Sequence, residues 1–158
     1  MSKAGMDAAR RHAKHLPRFR NQKAAEDTLF ADRDALLTLL SEVSVASTAF
    51  DPDYSPESLK ALESWYFELW EDDGFGGLSL DRETFERCMA MYFGEVIVRN
   101  DKRYEWVVQE FAFEKGKYEM GISRPGFAVM LRAFRDHYAL PNNKRRQRIW
   151  RRYREYAA

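Results

Sequence analysis

The sequence predicts a mostly helical α+β domain, in which four to five helices pack on one antiparallel β-hairpin that a further short strand could extend. Two patterns predict this class. Apolar residues recur at helical intervals of three and four in three segments before residue 100, and they follow a period of two between residues 107 and 122. The chain has 158 residues, of which 45% are hydrophobic and 32% charged, so it fits one globular domain with its own core.

The first helix is predicted to begin near Glu26 and to end before residues 47–53, which break the pattern. Its inward stripe consists of Leu29, Leu36, Leu37, Leu39, Leu40 and Val43. A second helix is predicted from Pro56, with Ser55 as its N-cap, and it ends at the glycine-rich loop 74–77. Its inward stripe consists of Leu59, Leu62, Tyr66 and Leu69.

The third predicted helix runs from about Asp81 to Arg99 and is apolar on more than one side, which is typical of a central helix. Gly94 lies inside it, where a glycine costs about 1 kcal/mol relative to alanine. We therefore expect a neighbouring element to approach the helix closely at Gly94.

A β-hairpin is predicted after this helix. Val107, Phe111 and Phe113 share one strand face, and Tyr118, Met120 and Ile122 share a face of the next strand. Pairing Phe113 with Tyr118 sets Phe111 opposite Met120 and Gln109 opposite Ile122, so we expect that register.

A fourth helix is predicted from Pro125 to Pro141, with a stripe of Phe127, Met130, Leu131, Phe134 and Tyr138. Asn142 or Asn143 is then expected to cap a last, basic helix. The predicted organisation is a mobile or loosely helical basic arm at 1–22, a single α+β domain at 23–141 and the basic C-terminal helix at 142–158.

Charge is distributed unevenly along the chain. Residues 1–23 carry a net charge of +6, residues 24–140 carry −11, and residues 141–158 carry +6. The first residues show no apolar segment and no stretch has membrane-spanning length, so we expect neither a secretory signal nor a membrane span. The single cysteine, Cys88, excludes an internal disulfide. These features favour the cytoplasm, with Cys88 as a buried apolar side chain.

The string MAMYFGEVIVRN-DKRYEWVVQEFAFEKGKYEMGIS, which begins at Met89, resembles a pattern found in uncharacterised bacterial α+β families. In those families a helix with a Gly-Glu pair is followed by Trp-Val at the start of a strand; Gly94-Glu95 and Trp106-Val107 match here. The resemblance implies an α+β fold and a bacterial source, and it implies no reaction. Small bacterial immunity proteins have a similar helix–hairpin–helix architecture, which is an analogy of fold only.

The sequence contains no complete catalytic or metal-binding constellation, so we expect neither a metal nor a cofactor and favour a non-enzymatic protein. His12 and His15 lack further ligands and are expected to be solvated members of the arm, and His137 is isolated. Glu95 is the one carboxylate that could act as a buried general acid or base. The alternative for Glu95 is an ion pair with Arg99.

Two segments have the composition of binding sites for other molecules. The first, around Trp65–Trp70, has more aromatic residues than one buried stripe uses, with acidic residues around them. It predicts a site for a protein partner, formed by Trp65, Phe67, Glu68, Trp70 and Asp72. The second is the basic C-terminal segment, which could bind a polyanion through Arg145, Arg148, Trp150, Arg152 and Tyr153. The alternative for this segment is docking on the acidic body.

These features favour a cytoplasmic, non-enzymatic protein-binding domain of the immunity or regulatory type, with a basic protein as its partner. The alternative is a nucleic-acid-associated protein that uses its basic N- and C-terminal segments as clamps.

Overall fold

A computed structural model describes residues 2–131 and 147–158 of the chain. Its helices are α1 (Lys3–Ala13), α2 (Gln22–Ser44), α3 (Ser58–Glu71), α4 (Arg82–Asn100) and α5 (Arg148–Ala157), and a short 3₁₀ turn covers Gly76–Leu78. The strands β1 (Glu105–Glu110), β2 (Tyr118–Arg124) and β3 (Phe127–Met130) form an antiparallel sheet in the order β1-β2-β3. The predicted mostly helical α+β class is confirmed, with a third strand added to the hairpin.

Helix α4 is the centre of the fold. Its side chains are buried on almost every side, and it packs against α2, α3, α5 and the first two strands. A Cβ atom added at Gly94 would lie only 2.6 Å from the Trp106 ring and would overlap the Leu131 side chain. The predicted close approach at Gly94 is therefore confirmed, and the neighbours are Trp106 on β1 and Leu131, the residue after β3.

Side chains fix the starts of the helices. The Asp81 carboxylate accepts a hydrogen bond from the Thr84 N–H (2.7 Å) and caps α4, and this bond lowers the pKa of Asp81 below its ordinary value. Asn21 caps α2 in the same way through the Ala24 N–H. Helix α3 begins at Ser58, slightly later than predicted, although the Ser55 hydroxyl does accept the Ser58 N–H (3.2 Å).

The predicted register of the hairpin is wrong. Tyr118 pairs with Glu110, Met120 with Val108 and Ile122 with Trp106, so β1 is displaced by three residues from the expected pairing. Phe111 and Phe113 lie beyond β1 in the connecting loop, where Phe113 is 51% exposed. Their apolar character suggested strand positions, but they belong to the tip of the hairpin.

The predicted fourth helix is also wrong over the residues that the structure describes. Residues Phe127–Met130 form β3, which pairs with β2 through a turn at Pro125 and Gly126. Gly126 has a φ of +80°, which glycine adopts at low cost and which suits a tight turn between strands. Phe134, Tyr138 and the Asn142–Asn143 cap lie outside the described residues.

Candidate functional site

The aromatic segment of α3 is divided between the core and the surface. Trp65 is buried, with its ring 5.7 Å from Phe50 and 5.2 Å from Phe85, so it packs in the core and is not available to a partner. Phe67 and Trp70 are half-buried. The Arg82 guanidinium lies 4.2 Å from the centre of the Trp70 ring, in cation–π geometry.

The carboxylates at the end of α3 remain on the surface. We call this group the acidic end of α3; its members are Glu68, Glu71, Asp72 and Asp73, all of them exposed. The last turn of the helix carries no basic residue, and within the described residues none of the four carboxylates forms an ion pair. The C-terminal end of a helix carries partial negative charge, which adds to the charge of these carboxylates.

The basic C-terminal helix is docked on the body of the protein. Its first N–H groups, those of Arg148 and Ile149, donate to the two oxygens of the buried Glu63 carboxylate on α3, at 3.0 and 3.2 Å. Ile149 is fully buried, and the Lys60 ammonium lies 4.0 Å from the Trp150 ring centre. Burial lowers the pKa of Arg148 below its ordinary value. Among the predicted polyanion-binding residues, Arg152 and Tyr153 are half-buried, and Arg145 lies outside the described residues.

The C-terminal end of α5 is also held to the body of the protein, by hydrogen bonds from the segment before β1. The Tyr104 hydroxyl donates to the Tyr156 carbonyl (2.7 Å), and the Arg103 guanidinium donates to the Ala157 carbonyl (3.0 Å). The alternative that the sequence left open, docking on the acidic body, therefore describes residues 147–158. Exposed arginines remain on its outer face at Arg151 and Arg154.

The N-terminal arm contains a contact that the sequence does not reveal. His12 Nε2 lies 3.1 Å from Glu119 Oε2 on β2, with both side chains largely buried, and the His12 ring packs edge-on against Phe111 at 5.1 Å. We expected His12 to be solvated. The contact joins residues 107 positions apart, so local spacing carried no signal for it.

The two basic segments lie at opposite ends of the sheet. Helix α1 and the residues after it contact the hairpin tip, where β1 ends, whereas the end of α5 contacts Tyr104 and Phe127, near the β2–β3 turn. A six-residue strand separates these ends by about 20 Å. The described parts of the two basic segments therefore contact different ends of the sheet.

A cavity of about 580 Å³ lies between the arm, α2, α4 and the sheet. Its lining includes the apolar side chains Leu29, Met91 and Met120 and charged groups of both signs, such as Asp32, Arg87 and Glu119. Among the described residues that line it, Tyr118 supplies the one hydroxyl, and none is a serine, threonine or cysteine. Within the same residues no group of three or more metal-ligating side chains occurs.

The structure describes Glu95, the candidate general acid or base, and Cys88, which was expected to be buried. Glu95 Oε1 lies 3.5 Å from Arg99 Nε, which is the ion pair offered as the alternative to a general acid or base. Cys88 is fully buried, as predicted, and burial raises the pKa of its thiol to about 11. His137 lies outside the described residues.

We expect the Cys88 thiol to react with iodoacetamide at pH 8 about two orders of magnitude more slowly in the native protein than in urea. The raised pKa leaves little thiolate, which is the reactive form, and burial blocks access. Mass spectrometry of the alkylated peptide measures both rates. Equal rates would show that the Cys88 side of α4 opens readily to solvent.

In the described part of the chain, no helix is long and apolar enough to cross a membrane.

A family model described as "Uncharacterised protein YwmA" matches residues 18–157. The protein of that name from Bacillus subtilis (strain 168) is 30% identical over 71 residues, a match that covers 45% of this chain and 45% of the relative. No solved structure matches the chain.

Proposed function

We propose that this chain, which belongs to the family of the uncharacterised protein YwmA, is a non-enzymatic domain that binds a basic protein partner through the acidic end of α3. The observation that carries the proposal is the exposure of four neighbouring carboxylates at a helix C-terminus without a cation in the last turn. Such a surface attracts a positively charged partner over a Debye length and orients it before contact.

The position of these carboxylates is unfavourable for the free protein. Negative charge at the C-terminal end of a helix opposes the helix dipole, and the four groups also repel one another. Asp73 adds backbone strain, since its φ is +52°. Residues that lower stability without a compensating contact are typical of binding surfaces, because a partner with the opposite charge removes the penalty.

Trp70 supplies an aromatic contact beside the carboxylates. It is half-buried next to the acidic end of α3, and the Arg82 side chain stacks on its ring at 4.2 Å. Tryptophan is enriched among the residues that dominate binding energy. In this proposal the carboxylates steer the partner and Trp70 contributes contact area, together with the half-buried Phe67.

The proposed setting is the bacterial cytoplasm, where the lone Cys88 would stay reduced. A role of this domain as the immunity-type or regulatory partner of a basic protein fits this mode of binding. Toxins that act on nucleic acid are commonly basic, and an acidic inhibitor can neutralise such a surface.

A neutralised variant tests the proposal. The four carboxylates are replaced by amides (Glu68→Gln, Glu71→Gln, Asp72→Asn and Asp73→Asn). The variant should bind the basic partner protein, once that protein is recovered from the source cells, at least tenfold more weakly in titration calorimetry. The same variant should be about 1 kcal/mol more stable in urea unfolding, because the unfavourable charges at the helix end are gone.

A second variant with the same net charge provides the control. It carries amides at four exposed acidic positions away from the end of α3, namely Asp27, Asp34, Glu42 and Glu57. Partner affinity should stay within twofold of the wild-type value. Equal loss of affinity in both variants would show that the loss depends on net charge alone. Unchanged affinity in the variant with amides at the end of α3 would exclude the acidic end of α3 as the site.

A further inference from the structure

The segment after α1 is fastened to the tip of the β-hairpin. The Phe19 N–H donates to the Gly116 carbonyl (2.9 Å), and the Tyr118 N–H donates to the Pro17 carbonyl (3.1 Å). The Arg18 guanidinium donates to the Lys115 carbonyl (3.1 Å), and the Lys117 ammonium donates to the Leu16 carbonyl (3.0 Å). The arm and the hairpin tip therefore form one surface.

This surface has a net positive charge, since its five cations outnumber Glu110 and Glu114, the two exposed carboxylates of the hairpin tip. We call it the arm–hairpin face; its cationic members are Lys14, Arg18, Arg20, Lys115 and Lys117, of which all but the half-buried Lys117 are exposed. Within the residues that the structure describes, none of the five forms an ion pair. Lysine and arginine side chains without carboxylate partners are available to bind phosphate groups.

The loop is held in shape from inside. The Glu110 carboxylate accepts the Gly116 N–H (2.8 Å), and the Phe111 N–H donates to the Lys117 carbonyl (2.7 Å). A positioned loop loses little conformational entropy when a ligand binds.

An exposed aromatic ring lies on the same loop. Phe113 is 51% exposed, and its ring packs edge-on against Phe111 at 5.6 Å. A large apolar side chain exposed on a preorganised loop, beside cations without ion pairs, matches the arrangement by which proteins stack an unpaired base while binding the backbone.

We infer that the arm–hairpin face binds single-stranded nucleic acid, with a base stacked on Phe113 and phosphates bound by Lys14, Arg20 and Lys115. An anionic membrane is the less favourable partner. Phe113 is the one large exposed apolar side chain of this loop, whereas insertion into a membrane surface needs a wider apolar face. A stacked base needs only the face of the ring.

This inference goes beyond the proposed function, because it uses a different surface and a different class of partner. The proposed function and this inference can therefore be tested independently. Amides at the acidic end of α3 should not weaken nucleic-acid binding, since they remove negative charge from another part of the molecule.

Fluorescence anisotropy with a labelled 20-nucleotide oligo-dT, the corresponding duplex and a mixed-sequence single-stranded RNA tests the inference over a range of salt concentrations. The full-length protein should bind both single strands more tightly than the duplex. Replacing Lys14, Arg20 and Lys115 by glutamine should lower the slope of log affinity against log salt by about 2, because each lost phosphate contact removes about 0.7. Phe113→Ala should weaken binding roughly tenfold with the salt slope unchanged.

A matched variant with glutamine at Lys102, Arg151 and Arg154 removes the same charge from the other basic end and should bind within twofold of wild type. Circular dichroism spectra of the variants serve as the control for folding. Equal losses in the two triple variants, a preference for the duplex or an unchanged affinity of Phe113→Ala would overturn the inference. Binding to phosphatidylserine vesicles without binding to any oligonucleotide would overturn it in favour of a membrane.

Discussion

Glu63→Ala should destabilise the protein by about 3 kcal/mol and release α5 from the body. The buried Glu63 carboxylate accepts the N–H groups of Arg148 and Ile149, which would otherwise be unsatisfied donors at a helix N-terminus. Negative charge at that position also complements the helix dipole. Urea unfolding measures the loss of stability, and limited trypsin digestion at the arginines of α5 measures its release.

Glu68→Ala is the matched control for this experiment. It removes a carboxylate from the same helix at an exposed position, so the unfolding free energy should change by less than about 0.5 kcal/mol and trypsin should cleave α5 at the wild-type rate. If Glu63→Ala behaved like Glu68→Ala, the docking of the C-terminal helix through Glu63 would be wrong.

Gly121→Ala should cost about 3 kcal/mol or more, because the added methyl group has no room. A Cβ atom at Gly121 would overlap the Val129 carbonyl oxygen and lie 2.7 Å from the Met130 Cα, both of them backbone atoms of β3. Backbone cannot rotate aside as a side chain can, so β3 must move away from β2. The shift in the midpoint of thermal unfolding measures the effect.

The control for this substitution is Gly77→Ala, since a Cβ atom at Gly77 meets nothing within 4 Å. Its unfolding midpoint should stay close to the wild-type value. A loss below about 1 kcal/mol in Gly121→Ala would contradict the pairing of β2 with β3, and with it the replacement of the predicted helix by a strand.

Local patterns predicted the parts of the fold that local interactions determine. The apolar residues of α4 surround the helix, so its central position followed from the sequence, and the unusual glycine at position 94 predicted the approach of a neighbouring element. The glycine cluster predicted that α3 ends just before it; the helix ends at Glu71, and the Gly74 N–H donates to the Leu69 carbonyl (2.8 Å).

The errors arose where distant residues decide the structure. Phe127, Met130 and Leu131 fit helical spacing, yet pairing with β2 makes the first two part of a strand. Phe111 and Phe113 fit an alternating strand, but β1 ends before them. Both errors come from reading apolar spacing without knowledge of the partner strand.

For the candidate sites, too, the sequence predicted local features and missed contacts between distant residues. The sequence identified the acidic and basic segments, because charge is visible in composition. It did not identify Glu63 as the residue that holds α5, since that contact joins positions 85 and 86 residues apart. It also missed the arm–hairpin face, whose cations come from two segments about 100 residues apart.

The most direct test of the proposed function is site-specific photo-crosslinking in the source cells, with p-benzoylphenylalanine at Glu71 on the acidic end of α3 or at Asp34 on the exposed side of α2. Both positions are exposed carboxylates, so the two proteins differ only in where the probe lies. We expect a discrete crosslinked product with a basic protein from position 71, reduced by added salt, and none from position 34. Equal products at both positions, or a product from position 34 alone, would contradict binding through the acidic end of α3.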